Sequence, residues 1–170
     1  MDFVERLANY VEGKGKRPFE ENEIDDKPVI VARLNGKRGS ILLDTGASCN
    51  LIDKQFLDTV LREDKDVQLD RTVKPKIICA SKTEMKVYGE VKLNLGLAAC
   101  ETKIRFFVVE NLCDSAIIGV KSLKRLGIKI CLNNDCCYFN NVLIPFEKKI
   151  AHDTSIMKSV DSKNVMMPTL

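Results

Sequence analysis

The sequence predicts a mainly β domain, small and closed like a barrel, with one or two short helices. Three observations support this fold class. Short apolar segments recur between residues 28 and 146, as expected of strands. Turn-forming residues separate them, above all Asn35-Gly36, which is a strong hairpin signal. The helical patterns are only two or three turns long, so strands must supply most of the core.

The chain of 170 residues fits one folded domain with a segment at each end. Its 45% apolar and 30% charged residues are typical of a globular protein. We predict an N-terminal amphipathic helix and charged linker over residues 1–26, the folded domain over residues 27–147, and a disordered tail over residues 148–170, where apolar periodicity fades. Within residues 2–12, Phe3, Leu7 and Val11 share one helical face. That face either packs on the domain or docks on a protein partner.

Charge and hydropathy argue against several function classes. The net charge of +3 is small and the aromatic residues do not alternate with basic clusters, so a nucleic-acid partner is not expected. No apolar stretch approaches the roughly 20 residues that a membrane helix needs. Met1 is followed by Asp2, Glu5 and Arg6, which is unlike a secretory signal peptide. We therefore expect an intracellular protein, in the cytoplasm, without a membrane partner.

The cysteines and the single histidine limit the possible chemistry. Seven cysteines without paired spacing do not predict a disulfide framework, and most are expected to be small core residues. Cys131, Cys136 and Cys137 form the one close set, which leaves a thiol or metal site as a minor alternative, although no metal is predicted. Because His152 is the only histidine, Ser-His or Cys-His catalysis is not expected either. Carboxylates remain as the acid and base groups, and no cofactor is predicted.

The predicted elements follow in order. Pro28 to Leu34 and Gly39 to Leu43 form a hairpin that ends at Asp44. Asp53 caps a short helix with an apolar face of Phe56, Leu57, Val60 and Leu61, and residues 62–72 are a charged loop. The later strands are Val73 to Ala80, Met85 to Leu97, Thr102 to Val109, Ala116 to Gly119, Ile128 to Leu132 and Cys137 to Ile144, with a helix from Lys121 to Leu126 stopped by Gly127.

The most informative stretch is residues 41–52, where an apolar run leads into Asp44-Thr45-Gly46 and a second apolar pair follows soon after. This pattern predicts a strand, a tight loop that holds an acid, and a return to the core. Such a loop can hold a carboxylate rigidly, so that its oxygens keep one orientation and its pKa can be perturbed. The alternative is an ordinary turn, because Asp, Asn, Ser and Gly are common turn residues.

Taken together, the order of elements from Lys27 to Glu147 resembles a retropepsin-like aspartic protease domain, of the kind found in retroviruses, in gypsy-type retrotransposons and in cellular proteins derived from them. The matching stretches are Lys27-Pro28-Val29-Ile30, Ile41 to Ser48 with its Leu-Leu-Asp-Thr-Gly-Ala-Ser core, Ile117-Ile118-Gly119 and the terminal hairpin that ends with Ile144-Pro145-Phe146. The resemblance implies a small acid-protease barrel with one lobe per chain. It also implies a homodimer, because each active site of this family uses two such aspartates that share a proton.

The resemblance also implies roles for individual residues. Asp44 would be catalytic, and Thr45 and Gly46 would support the active-site loop. Ile117, Ile118 and Gly119 would support that loop from the core. The substrate, an extended peptide or a polyprotein, would contact Ala47 and Ser48 and a mobile flap formed by Ala80, Ser81, Lys82, Thr83 and Glu84.

Two features of the chain depart from the family pattern. The flap tip has no glycine, and Lys121 stands where the family commonly has Asp or Asn. Two functions are therefore carried forward. The first is a homodimeric aspartic endopeptidase. The second is a domesticated, weakly active or inactive protease-fold module for dimerisation or scaffolding.

Overall fold

The computed structural model describes residues 24–25 and 27–150, with side chains from residue 27 to residue 148. Residues Lys27–Glu147 form one compact unit. A second unit combines residues 1–26 with residues 148–170. Its described part is a two-stranded antiparallel ladder of β1 (Ile24–Asp25) and β14 (Lys149–Ile150). The predicted helix in residues 2–12 and residues 151–170 of the predicted tail lie outside the described residues.

The unit Lys27–Glu147 is built mainly from strands. The strands are β2 (Val29–Leu34), β3 (Lys37–Asp44), β4 (Leu51–Asp53), β5 (Leu69–Asp70), β6 (Ile77–Ile78), β7 (Glu84–Met85), β8 (Gly89–Leu97), β9 (Cys100–Val109), β10 (Ala116–Gly119), β11 (Lys129–Cys131), β12 (Cys136–Phe139) and β13 (Val142–Pro145). The helices are α1 (Lys54–Glu63), α2 (Val120–Leu126) and a 3-10 turn at Leu132–Asn134.

Six of these strands close into a barrel. Their order is β2-β3-β10-β4-β9-β8, and pairing of β8 with β2 closes the ring, while β5 extends it at β8. Within the ring, β3 is parallel to β10 and β4 is parallel to β9. The other four pairs of adjacent strands are antiparallel. This closed barrel with two short α-helices confirms the predicted mainly β, barrel-like fold class.

The barrel interior is filled by alternate residues of the strands. Along β8, every second side chain from Val91 to Leu97 is buried, and β9 contributes Ile104, Phe106 and Val108 from the facing side. Such alternation is the sequence signal of a strand with one face toward the core. Burial of these large apolar side chains is the main favourable term in the folding free energy of the barrel.

Both α-helices begin or end at the predicted residues. Asp53 is the N-cap of α1 and accepts a hydrogen bond from Gln55 N at 3.0 Å, and its second carboxylate oxygen accepts from Leu112 N. Gly127 ends α2 with a left-handed φ of 66°. No helix among the described residues is long and apolar enough to cross a membrane.

The predicted long strands are wrong at three places. The segment from Val73 to Ala80 contains only the short strand β6, and Met85 to Leu97 is divided into β7 and β8. Cys137 to Ile144 is not one strand, because Asn140 and Asn141 adopt left-handed φ values of 49° and 62° and form a tight turn between β12 and β13. Asn tolerates this conformation, which is typical of two-residue hairpins.

The predicted charged loop over residues 62–72 is also partly wrong. Helix α1 continues to Glu63, and Leu69–Asp70 pairs with β8 as strand β5. A short strand of two residues has no periodicity from which it could be recognised.

Candidate active site

Asp44 is the last residue of β3, where the hairpin delivers it to the edge of the barrel. The side chain is half-buried, and Asp44 Oδ1 accepts a hydrogen bond from Gly46 N at 2.8 Å. Ala47 N donates to the Asp44 carbonyl oxygen at 3.3 Å, which closes the loop as a turn. The Asp44 carboxylate is thus held in one orientation by its own loop. Its other oxygen, Oδ2, takes no part in the hydrogen bond from Gly46 N.

The residues after Asp44 are accessible. Thr45, Gly46 and Ser48 are exposed and Ala47 is half-buried. A Cβ atom added to Gly46 would lie 3.2 Å from Asp44 Oδ1, which is a tighter approach than side chains normally make. Glycine therefore allows the loop backbone to approach the carboxylate. The roles assigned to these four residues stay predictions, because they require a second chain or a substrate.

Strand β10 lies directly beside the Asp44 loop. It runs parallel to β3, with Gly119 opposite Asp44. Val120 N donates to the carbonyl oxygen of Ala47 at 2.9 Å, so the start of α2 is bonded to the loop. A Cβ atom on Gly119 would lie 2.7 Å from the Ala47 oxygen and 2.6 Å from the Cys49 oxygen. Gly119 is thus adjacent to the predicted catalytic residue, while Ile117 and Ile118 lie opposite Leu42 and Leu43 in the same ladder. The supporting role of these three residues stays a prediction.

Asn50 is a structural residue of the site that sequence reasoning missed. Its Oδ1 accepts from Gly119 N at 2.9 Å, while its Nδ2 donates to the Arg105 carbonyl oxygen at 2.9 Å and to Ser122 Oγ at 2.8 Å. The amide thus joins the loop to β10, β9 and α2. The sequence did give one hint, since Asn50 is a polar residue directly before the apolar pair that returns to the core. The neighbouring residues, however, do not reveal which groups it bonds.

Lys121 does not enter this network. Its side chain is exposed, and it makes no ion pair with a carboxylate among residues 27–148. The acceptor of the Gly119 N hydrogen bond, two residues before Lys121, is Asn50 Oδ1.

The predicted flap is a hairpin with a three-residue tip. Strands β6 and β7 pair through Ile77 and Met85. Cys79 N donates to Thr83 O at 3.0 Å, and Lys82 N donates to Cys79 O at 2.9 Å. Lys82 takes the left-handed conformation, with φ of 62°, at the position where such tips usually have glycine. The glycine-free tip therefore keeps the usual backbone shape at some cost in strain.

The base of this hairpin is fixed by a small apolar cluster outside the barrel core. Leu51, Val87 and Val109 are its buried members, and partly buried side chains pack around them. These are Cys49, Ile77, Met85, Phe107, Leu112 and Ile117. The cluster connects the hairpin to the Asp44 loop through Cys49 and to β10 through Ile117. All five residues of the predicted flap, Ala80 to Glu84, are exposed.

The described residues contain no group of three or more His, Cys, Asp or Glu side chains arranged to hold a metal ion. Cys136 and Cys137 are buried in the core region. All seven cysteines are free thiols.

We predict that Lys82→Gly stabilises the hairpin tip by on the order of 1 kcal/mol, because glycine adopts the left-handed conformation without the Cβ penalty. The side chain is exposed, so no packing is lost. Hydrogen exchange of the Lys82 and Cys79 amides measures the effect as slower exchange. Lys82→Ala is the matched control, since it removes the same side chain but keeps the penalty, and it should give no protection. Equal protection in both variants would contradict the assignment of strain to Lys82.

We also predict that Cys79 is alkylated faster at neutral pH than Cys137. The Ser81 hydroxyl, 3.0 Å from Cys79 Sγ, lowers the pKa of the Cys79 thiol, so its thiolate fraction rises. Burial raises the pKa of Cys137 to about 11, so this thiol stays protonated as well as inaccessible. Timed iodoacetamide labelling with mass spectrometry measures both rates. Ser81→Ala should slow labelling at Cys79 and leave the exposed thiols of Cys100 and Cys113 unchanged. No change at Cys79 would contradict the prediction.

Comparison with known proteins places this geometry in a structural class. No family profile and no curated protein sequence matches the chain. Among solved structures, the chain is similar to the retroviral protease-like domain of Ddi1 from Leishmania major, with a TM-score of 0.57 and 20% identity over 71% of this chain and 94% of that one. It is also matched to EIAV protease, solved with an inhibitor, with a TM-score of 0.47 and 17% identity over 68% of this chain and 98% of that one. A retropepsin-like aspartic protease from Rickettsia conorii gives a TM-score of 0.45 and 21% identity over 61% of this chain and 75% of that one.

The chain has a retropepsin-like fold. The likeness to the Leishmania domain spans nearly all of that domain, and it confirms the fold that the resemblance in sequence implied. At 20% identity the likeness concerns the fold, and the chemistry has to be argued from the residues of this chain.

Proposed function

We propose that this protein is an aspartic endopeptidase of the retropepsin type, active as a homodimer. The observation that carries the proposal is the setting of Asp44. A half-buried carboxylate ends a barrel strand, its loop bonds it through Gly46 N, and Gly119 and Asn50 back that loop, all within a retropepsin-like fold. An ordinary surface turn has no need of a close backbone approach from a second strand.

The homodimer follows from the number of acids. The sequence contains one Asp-Thr-Gly loop, whereas water activation by an aspartate pair needs two carboxylates that share one proton. The exposed Thr45 and Gly46 leave the loop accessible to a second copy. One Asp44 carboxylate would act as general base on a water molecule while the protonated one polarises the scissile carbonyl and protonates the leaving nitrogen. No metal or covalent intermediate enters this scheme.

The substrate class is an extended peptide segment, largely apolar, such as a site within a polyprotein. Ala47 and Ser48 would pair with it as an added strand, and the hairpin from Ile77 to Met85 would close over it. The apolar cluster beneath the hairpin, which includes Ile117, offers the contact surface. We place the protein in the retroviral or retrotransposon protease lineage and in a reducing intracellular compartment, a setting that seven free thiols fit.

A second candidate function is a protease-fold module that dimerises or serves as a scaffold without turnover. Two observations favour it. Lys82 keeps a strained conformation at the flap tip, with a charge where closure is expected to be apolar, and Lys121 has no carboxylate partner within residues 27–148. The first function explains why an aspartate with a dedicated supporting strand is present, so it is preferred.

A peptide-cleavage assay distinguishes the two functions. The full-length protein is incubated with a peptide library at several pH values between acid and neutral, and the products are identified by mass spectrometry. Sedimentation analysis of the same samples measures the oligomeric state. The endopeptidase is expected to cut within extended apolar segments, with a rate that rises and falls with pH because the pair must carry one proton. A well-folded dimer that cuts nothing at any pH would overturn the proposal and favour the scaffold.

A further inference from the structure

One pocket beside the Asp44 loop is lined by five cations and no acid. Its volume is about 420 Å³, and its basic residues are Lys92, Lys103, Arg105, Lys121 and Arg125. We call it the basic pocket. Five positive side chains around one recess are unexpected in a chain whose net charge is only +3. None of the functions assigned above uses it.

The charges in the basic pocket are only partly compensated within the protein. Lys92 and Lys103 also line a neighbouring recess that carries Asp64, Asp66, Asp70 and Glu90, whereas Lys121 and Arg125 do not. Lys92 lies directly opposite Arg105 in the β8–β9 ladder, and like charges at such positions destabilise a sheet. Arg105 Nε pairs with Glu90 Oε1 at 3.1 Å. The other four cations have no ion pair with a carboxylate among residues 27–148. Departures from local stability rules of this kind are expected where a ligand supplies the missing charge.

The wall of the basic pocket links it to the candidate active site. Ser48, Cys49 and Asn50 form that wall, and Ser48 is also the residue expected to pair with a bound peptide. Lys121 and Arg125 are one helical turn apart on α2, so both side chains face the same side. An extended peptide that leaves the Asp44 loop along Ser48 therefore meets a concentrated positive charge.

We propose that the basic pocket binds an acidic side chain of the peptide substrate and so selects aspartate or glutamate at a position beyond the scissile bond. This inference rests on the proposed function to the extent that a peptide lies along the Asp44 loop. A peptide carboxylate is favoured over nucleic acid because the cations converge on one recess instead of forming a stripe that could follow a phosphate backbone.

The test is an NMR titration of the full-length protein, which needs no turnover. The probes are acetyl-Ala-Glu-Ala-amide and its isostere acetyl-Ala-Gln-Ala-amide. The glutamate peptide is expected to shift the amide signals of residues 48–50 and 121–125, with an affinity that falls as salt is added, and the glutamine peptide is not. In the double variant K121E/R125E, affinity for the glutamate peptide should fall about ten-fold or more, since charge-assisted hydrogen bonds are lost.

The matched control is K124E, a charge reversal on the same helix at an exposed residue that does not line the pocket. It should keep the affinity of the unchanged protein. Equal responses to both peptides, or no loss in K121E/R125E, would overturn the inference. So would tighter binding of a single-stranded RNA of 20 nucleotides at the same signals. A positive titration in a protein that cuts no peptide would count against the proposed function alone, and cleavage without acidic preference would count against the basic pocket alone.

Discussion

Asp44→Asn is expected to abolish peptide hydrolysis while leaving the fold intact. Asparagine has nearly the same shape, and its amide oxygen can still accept the hydrogen bond that Asp44 Oδ1 receives from Gly46 N. It cannot exchange a proton with a water molecule, so general base catalysis is lost, which is worth about 10²–10⁴ in rate. We expect the free energy of unfolding to change by less than about 1 kcal/mol, because a neutral acceptor replaces a charged one in a single bond. Peptide cleavage and urea denaturation measure the two effects.

Asp58→Asn is the matched control. Asp58 is an exposed carboxylate on α1, paired with Lys54 one turn earlier, and its loss should alter stability by only a few tenths of a kcal/mol and activity not at all. A covalently linked dimer with a single Asp44→Asn change tests the shared site. It should be as inactive as the doubly changed dimer, because one carboxylate cannot supply both acid and base. Half of the normal activity would mean that each chain works alone, which would contradict the paired-aspartate scheme.

The sequence was informative wherever a local rule decides the structure. The Asn35-Gly36 turn has left-handed φ values of 47° and 78°, which these residue types adopt readily, and it places Asp44 at the end of β3. Asp53 and Gly127 act as helix caps for equally local reasons. The barrel could be inferred because alternation along the strands reports which face is buried.

Local rules failed where distant contacts decide the conformation. Ala98 and Ala99 form the turn between β8 and β9 with φ values of 47° and 61°, although alanine disfavours this region. The long β8–β9 ladder, from Gly89 opposite Val108 to Leu97 opposite Cys100, fixes the register and so imposes the turn. Propensity is a weak signal against an extensive ladder of this kind.

The candidate site shows the same division. Asp44 could be proposed as the catalytic residue because its loop is contiguous in sequence, whereas the hydrogen-bond partners of Asn50 are 55 to 72 residues away. The basic pocket was hidden for a related reason. Its cations are spread over two strands and a helix, so only the register of β8 with β9 and the position of α2 bring them together. A net charge describes the chain as a whole and carries no information about such a local concentration.

Gly119→Ala is expected to destabilise the protein by about 2–4 kcal/mol, because the added Cβ has no room and backbone atoms cannot move aside cheaply. It would lie 2.6 Å from the Cys49 oxygen and 2.7 Å from the Ala47 oxygen. Relief requires β10 to move away from the Asp44 loop, which strains the bonds from Gly119 N to Asn50 and from Val120 N to Ala47. Such a loss is a large part of the 5–15 kcal/mol typical of a domain, and urea denaturation measures it.

Gly96→Ala is the matched control for this change. Gly96 is also in a strand, but its added Cβ would approach Arg33 Cβ no closer than 3.5 Å, which is an ordinary contact. This variant should be as stable as the unchanged protein or slightly more stable, since alanine has less conformational freedom in the unfolded chain. In the folded fraction of Gly119→Ala we expect peptide cleavage to fall as well, because Asp44 and Gly119 are opposite residues of one ladder. Equal stability of the two alanine variants would contradict the close approach of β10 to the loop, and with it the supporting role of Gly119.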